Sequence, residues 1–388
     1  MAQQSTSHQA SLTRPGQANS TGDARALYLK LFSGEMFKGF QNNAIARDLV
    51  MKRTLRNGKS LQFIYTGHTK AEYHTPGNSI LGNSDGAPPV AEKTITVDDL
   101  LISSAFVYEL DETLAHYELR GEISKKIGYA LAEKYDRLIF RAITNGARKA
   151  SPITKTGFIE PGGTQIRVGA AGTPAQSEAF NADNLIAAFY DAAAALDEKG
   201  VSTEGRVGVL NPRQYYELIQ KVGDGGLVNR DVQGSSLQSG NGVVEIAGIK
   251  IFKSMNIPFF DKYGVKYGIS GGPADPGNTG SFISQQIESA KTADTGINNN
   301  YGQGLQQSNG TATGGDGNFN HSCGLIFQRE AAGVVEAIGP QVQVTSGDVS
   351  VIYQGDVILG RLAMGADYLN PAACVELFAG NATGNSGF

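Results

Sequence analysis

Cysteine is scarce. Cys323 and Cys374 are the two in 388 residues, with no CxxC pattern, which argues against a disulfide framework or a zinc knot. A reducing, cytoplasmic origin fits that scarcity. The five histidines, His8, His68, His74, His116 and His321, form no HExxH, no HxH and no spacing that sets two on one helix face. Positive charge is not in excess: the net charge is -4 and the pI near 5.8, so no global attraction draws the chain to nucleic acid. No apolar run approaches the roughly 18 residues that cross a bilayer, and no basic-plus-apolar signal opens the chain. No GxGxxG or GxxxxGK[ST] loop stands at a strand-to-helix junction. These absences lead us to expect no catalytic residue, no metal, no cofactor and no membrane.

What is abundant is glycine, 50 residues, or about 13% against a usual ~7%. The length is enough for two or three domains. Residues 1–23 are Gln, Ser, Thr and Gly with few apolar side chains, the composition of a disordered tail. From Ala24 an amphipathic segment places Leu27, Leu31, Phe32, Met36 or Phe37, and Phe40 on one face, and Gly34 weakens it as a free helix. Residues 44–57 read as extended and basic, with Arg47, Lys52, Arg53 and Arg56.

The next stretch is the most informative. Two arms rich in Ile, Val, Thr and aromatics, Lys59–Thr66 and Lys93–Ile102, flank a tip carrying Gly67, Pro76, Gly77, Gly82, Gly86, Pro88 and Pro89. Such a tip forms no core, and an isolated two-stranded hairpin is marginal in water. The arm therefore makes sense against another subunit. A long helix follows, from about Asp111 to Thr144: Leu114, Tyr117, Ile127, Leu131, Leu138 and Ala142 recur at three- and four-residue steps. Asp111 and Glu112 in its first turn and Arg148 and Lys149 past its end suit the macrodipole, and Asn145-Gly146 reads as the stop. At ~1.5 Å per residue it spans on the order of 50 Å.

Beyond Gly-rich residues 157–175 the pattern is α/β. Asn184–Lys199 reads as a helix with Leu185, Phe189, Ala192 and Leu196 inward and Gly200 at the C′ position. Arg206–Leu210 is a short buried strand, followed by a helix that Asn211 caps and Pro212 opens. Val243–Lys253 is a strand pair or bent strand, Gly324–Val335 and Gln341–Ile352 are strands, Gly355–Met364 is a helix, and Cys374–Phe378 is a last strand. Residues 261–320, dominated by Gly, Asn, Ser, Thr and Gln, read as a surface insertion.

Two stretches tempt a chemical reading. Gly268-Ile269-Ser270-Gly271-Gly272 matches GxSxG, but Pro273-Ala274-Asp275-Pro276 follows, which begins no regular helix and so leaves Ser270 without its elbow. The basic set Arg47, Lys52, Arg53, Arg56 and Lys59 fits either a nucleic-acid patch or ion pairing with Glu109, Asp111 and Glu112 of a neighbouring copy; we favour the latter.

The order of tail, amphipathic arm, long hairpin, long helix and α/β region resembles the HK97-like major capsid fold. Within it the local residues resemble the major capsid proteins of autographivirus-type short-tailed phages. The matching runs are Leu29-Lys30 with Phe32, Gly34 and Glu35; Gly58-Lys59-Ser60 with Gln62-Phe63, Gly67, Thr69, Ala71, Tyr73 and Pro76-Gly77; Thr94-Ile95-Thr96-Val97-Asp98; His116-Tyr117 and Arg120; and Gly324-Leu325, Arg329, Ala332-Gly333, Ala363-Met364-Gly365, Leu369 and Pro371-Ala372. The long 261–320 segment departs from that pattern.

The resemblance implies an α+β fold divided as an N-terminal tail and arm (1–57), an extended loop (58–102), a peripheral domain with the long helix (103–180), an axial domain (181–340) and a returning C-terminal segment (341–388). It implies a structural, non-enzymatic shell subunit of the virion that forms hexamers and pentamers around double-stranded DNA, built with a scaffolding protein and a portal in the host cytoplasm. The alternative within the same fold is a nanocompartment shell that loads a cargo enzyme. Expected intersubunit contacts are Phe63, Ile64, Tyr65, Tyr73, Pro76, Arg53, Arg56 and Arg120.

Overall fold

A computed structural model describes residues 45–68, 73–77, 89–97, 100–109, 119–153, 160–169, 176–220, 245–254, 256–257, 322–344 and 354–379. The expected tail, the amphipathic segment, most of the hairpin tip, the helix start at Asp111, and the 261–320 insertion with Ser270 lie outside the described residues. The strands are β1 (Met51–Thr54), β2 (Ser60–Thr66), β3 (Val90–Thr96), β4 (Leu101–Tyr108), β5 (Thr164–Val168), β6 (Arg206–Leu210), β7 (Glu245–Ile246), β8 (Ile249–Lys253), β9 (Ser322–Gln328), β10 (Ala332–Val344), β11 (Gly355–Tyr368) and β12 (Cys374–Ala379). The α-helices are α1 (Leu119–Ala147), α2 (Ala182–Glu198) and α3 (Pro212–Gln220). The chain forms two compact units, and α1, β10 and β11 each contribute residues to both.

The smaller unit draws on Val97–Tyr135 and Glu336–Met364. Its strands β10, β11 and β4 are neighbours in that order, with β4 antiparallel to β11 from Gly355↔Tyr108 to Leu362↔Leu101. Ile127 and Leu131 of α1 pack on Val107 and Ile358. The expected helix over Gly355–Met364 is therefore a strand. The ladder with β4 fixes a two-residue period, so Ile358, Gly360 and Leu362 share one face. A Cβ at Gly360 would run into Ile127 and Leu131, so glycine lets the helix approach the sheet. Tyr135 Oη donates to buried Glu336 at 2.8 Å.

The larger unit draws on Ile45–Thr96, Asp136–Val335 and Gly365–Phe388. Its six-stranded sheet has the order β5-β12-β9-β6-β8-β7; β5–β12 and β6–β8 are parallel, and β12–β9, β6–β9 and β7–β8 antiparallel. Leu185, Phe189, Ala192 and Leu196 of α2, each at 0% exposure, fill the core with Leu210, Ile249, Ile326 and Leu377. Asn181 caps α2 by accepting from Asp183 N–H at 3.0 Å, and Gly200 takes φ +70° past its end. Of the expected Val243–Lys253, the described residues 245–253 form a hairpin whose turn residues, Ala247 and Gly248, have φ +51° and +76°, as a two-residue turn of primed type requires.

Several expectations change here. Gly324–Val335 is not one strand: a turn at Arg329–Ala331, closed by Ala331 N–H to Gln328 O at 2.8 Å, separates β9 from β10; of the strand expected over Gln341–Ile352, residues 341–344 are the end of β10 and residues 345–352 lie outside the described residues. Residues 157–175 hold an unforeseen strand, β5, set by its parallel pairing with β12 rather than by its own short sequence. The helix after β6 begins at Pro212 as expected, but the Asn211 side chain has no hydrogen-bond partner among the described residues; Gln214 Oε1 instead accepts the Asn211 N–H at 3.2 Å.

The long helix runs on through Asn145-Gly146 to Ala147. Gly146 is there for close packing, since a Cβ would meet Cys374 Sγ and Tyr368 Cβ at 2.8 Å each. Arg148, just beyond, does more than face the dipole. It forms a bidentate pair with fully buried Glu376 at 2.6 and 2.7 Å, and Gln165 donates to the same carboxylate at 2.7 Å.

Candidate assembly interface

β2 and β3 pair antiparallel from Ser60↔Thr96 to Thr66↔Val90 as a sheet of two strands. The first arm is as expected within a residue. The second is shifted: it starts at Val90 and ends at Thr96, and Leu101–Ile102, assigned to it from sequence, belong to β4. The seven residues of β2 consume 90–96 as partners, so nothing remains to extend the ladder.

Successive side chains of a strand point to opposite faces. Leu61, Phe63 and Tyr65 of β2 and Ala91, Lys93 and Ile95 of β3 make the covered face, where Ile95 is buried to 1% exposure. Gln62, Ile64 and Thr66 with Val90, Glu92 and Thr94 make the open face, where Ile64 is 74% and Val90 61% exposed. Ile64 lies opposite Glu92 and Thr66 opposite Val90, so the two exposed aliphatic side chains are diagonal neighbours.

The covered face is tied down at its midpoint and at its distal end. Lys93 Nζ lies 2.8 Å from Asp367 Oδ2 and 3.7 Å from the centroid of the Tyr368 ring. Burial opposes the charge on Lys93, but the hydrogen bond and charge of Asp367 outweigh it and hold the ammonium pKa above its usual value. At the distal end Gly67 N–H donates to Pro89 O at 2.8 Å, and His68 meets Glu160 through its N–H at 2.5 Å and its Nδ1 at 2.9 Å. Burial and then the Glu160 charge raise the pKa of the Tyr65 phenol. His68 thus has an exposed ring and a specific partner.

Of the residues expected at intersubunit contacts, Phe63 and Tyr65 lie on the covered face and Ile64 on the open one. Arg53 follows in β1 and Arg56 in the turn before β2, both exposed. Tyr73 and Pro76 are exposed near the tip, where Gly77 adopts φ +96°. Arg120 lies in the first turn of α1. Sequence reasoning missed Glu160 and Asp367, which come from distant segments and carry no local motif.

Chemistry is sparse around the ribbon. Among the described residues no group of three or more His, Cys, Asp or Glu is placed to hold a metal, and no helix is long and apolar enough to cross a membrane. Cys323 and Cys374 are free and buried, and burial pushes both thiols up, away from the reactive thiolate.

The family profile described as Gp10A-like, major capsid protein, matches residues 62–281. The chain belongs to this capsid family.

Its curated relatives include the major capsid protein of Escherichia phage T7, 30% identical over 206 residues that cover 51% of this chain and 57% of that protein. The major capsid protein of Enterobacteria phage T3 is 33% identical over 126 residues, covering 32% and 35%. The chain therefore spans about half the length of the T7 protein it matches and about a third of the T3 protein. Among solved structures, the capsid of the cyanophage P-SCSP1u aligns at TM-score 0.67 and 28% identity over 96% of this chain and 98% of that one. The mature capsid of bacteriophage PhiM1 aligns at TM-score 0.60 over 97% and 99%, at an identity of 16% that speaks to the fold alone. The fold is a mixed α/β, HK97-like capsid fold, and the family is structural rather than enzymatic.

Proposed function

We propose that this Gp10A-like chain is the major shell subunit of a phage head, assembling as pentamers and hexamers into an icosahedral wall around double-stranded DNA. The observation that carries the reading is the ribbon itself. Its covered face is held by its own subunit, while Ile64 and Val90 stand in solvent on the open face. Exposed aliphatic pairs on an edge-open two-stranded sheet are a liability unless a partner covers them. The partner that fits is a second copy of this chain, because head-to-tail contacts close into rings of five or six. Each contact need supply only ~ -4 to -8 kcal/mol, so that misplaced subunits still dissociate while many engagements hold the whole.

On this reading residues 1–57 are an arm, 58–102 an extended loop, 103–180 a peripheral domain and 181–340 an axial domain, with 341–388 returning to both. Arg53, Arg56 and Arg120 then pair with acidic side chains of neighbours, and Tyr73 and Pro76 lie at the reaching end of the loop. The scaffolding protein and the portal are partners during assembly, and the negative net charge suits a wall that must not grip packaged DNA.

The test is an I64K/V90K variant. The lysine placed at position 64 would stand opposite Glu92, an attractive cross-strand pair, and exposed surface substitutions shift stability by about 0.5 kcal/mol or less each, so circular dichroism should be unchanged. Electron microscopy should show no closed shells. Normal shells from this variant contradict the proposal.

A further inference from the structure

Glu160 sits just ahead of β5 with its side chain only 1% exposed, and it is taken up by one residue of the ribbon. The His68 N–H donates to Oε1 at 2.5 Å, and the His68 Nδ1 lies 3.0 Å from Oε1 and 2.9 Å from Oε2. A carboxylate only accepts, so Nδ1 carries the ring hydrogen in this contact. The preceding residue is glycine for a reason. A Cβ at Gly67 would stand 2.5 Å from Glu160 Oε1, 2.7 Å from Ile153 Cδ1 and 2.8 Å from Pro89 Cγ. The ribbon thus comes down onto a buried acid through a position that admits no side chain. Two residues earlier, on the same face, Tyr65 lies within reach of the Glu160 charge.

We infer that Glu160 is a latch. It fixes the distal end of β2–β3 on its own subunit, so that the open face carrying Ile64 and Val90 is presented in one orientation before a second copy arrives. A two-stranded ribbon is marginal without support, and Lys93–Asp367 secures β3 nearer the base. Without the distal contact, the last residues of both strands must be ordered at the moment of association, which weakens binding. The consequence for assembly rests on the shell-subunit reading; the latch itself does not.

The experiment compares full-length wild type with Glu160→Ala, Glu160→Gln and His68→Gln by hydrogen–deuterium exchange of the unassembled subunit, followed by shell yield at a fixed subunit concentration. In Glu160→Ala, amides in the peptide spanning 64–68 should exchange at least about tenfold faster, as expected for loss of hydrogen bonds to a charged acceptor. Amides of α2 should not change. Glu160→Gln and His68→Gln should show smaller accelerations, since each keeps part of the contact, and shell yield should fall in the same order.

Unchanged exchange at 64–68 in a folded Glu160→Ala overturns the latch. Should Glu160→Ala lose α2 protection, the two glutamine variants decide by the same readout: faster exchange supports the latch and wild-type exchange overturns it. Faster exchange with undiminished shell yield overturns the assembly role. A wild-type chain that never forms shells contradicts the subunit reading, while the exchange data still decide for or against the latch.

Discussion

Two glycines in one helix should respond to the same substitution with opposite signs. Gly128 and Gly146 lie in α1, eighteen positions or about five turns apart. In a helix interior, Gly→Ala gains about 0.8–1 kcal/mol of propensity. At Gly128 a new Cβ meets nothing within 4 Å, so most of that gain should appear. At Gly146 the new methyl would stand 2.8 Å from both Cys374 Sγ and Tyr368 Cβ, in a site where both neighbours are packed. Overpacking of this kind costs about 1–3 kcal/mol, which exceeds the propensity gain.

The expected outcome is G128A more stable than wild type by about 0.5–1 kcal/mol and G146A less stable by about 1–2 kcal/mol. Urea denaturation of the soluble subunit, followed by circular dichroism, measures both. The two units need not unfold together, so the midpoint of each resolved transition is compared. Equal stabilisation by the two alanines would refute the packing argument.

Removing Arg148 leaves the fully buried Glu376 carboxylate with Gln165 but without its bidentate cation. Breaking a buried pair on one side costs about 3–5 kcal/mol, so R148A should be largely insoluble or unfold at much lower urea, and a loss below about 1 kcal/mol would contradict the burial reading. Burial lowers the Lys199 pKa to about 8, despite hydrogen bonds to Gly162 O and Thr164 Oγ1. A lysine whose folded pKa is depressed binds fewer protons than in the unfolded chain between pH ~8 and ~10.5, so its contribution to stability rises with pH across that window. The urea midpoint of wild type should therefore gain on that of K199M from pH 8 to pH 10, and parallel profiles would count against the shift.

The long helix, α2 with its glycine stop and the strand Arg206–Leu210 were legible in the sequence because each carries its period and its punctuation locally. β11 was not. In Gly355–Met364, glycines at 355 and 360 interrupt the alternation, and so short a run fits a helix as well as a strand; pairing with β4 makes the choice. β5 was hidden for the same reason, since its partner β12 lies at the other end of the chain. The hairpin was visible from composition, but not which of its faces is free. The sequence places Phe63, Ile64 and Tyr65 side by side, and only the position of Glu160, 92 residues from His68, and of Asp367 beside Lys93 shows that Phe63 and Tyr65 turn inward.

The most direct measurement is electron microscopy of the full-length chain purified from cells that express it with and without a scaffolding protein. A subunit whose ribbon presents an open apolar face to its copies should give closed shells with pentamers at the vertices and hexamers between them. A dispersed monomer under every assembly condition, with Ile64 and Val90 as exposed to solvent labelling as in the free subunit, would contradict the account.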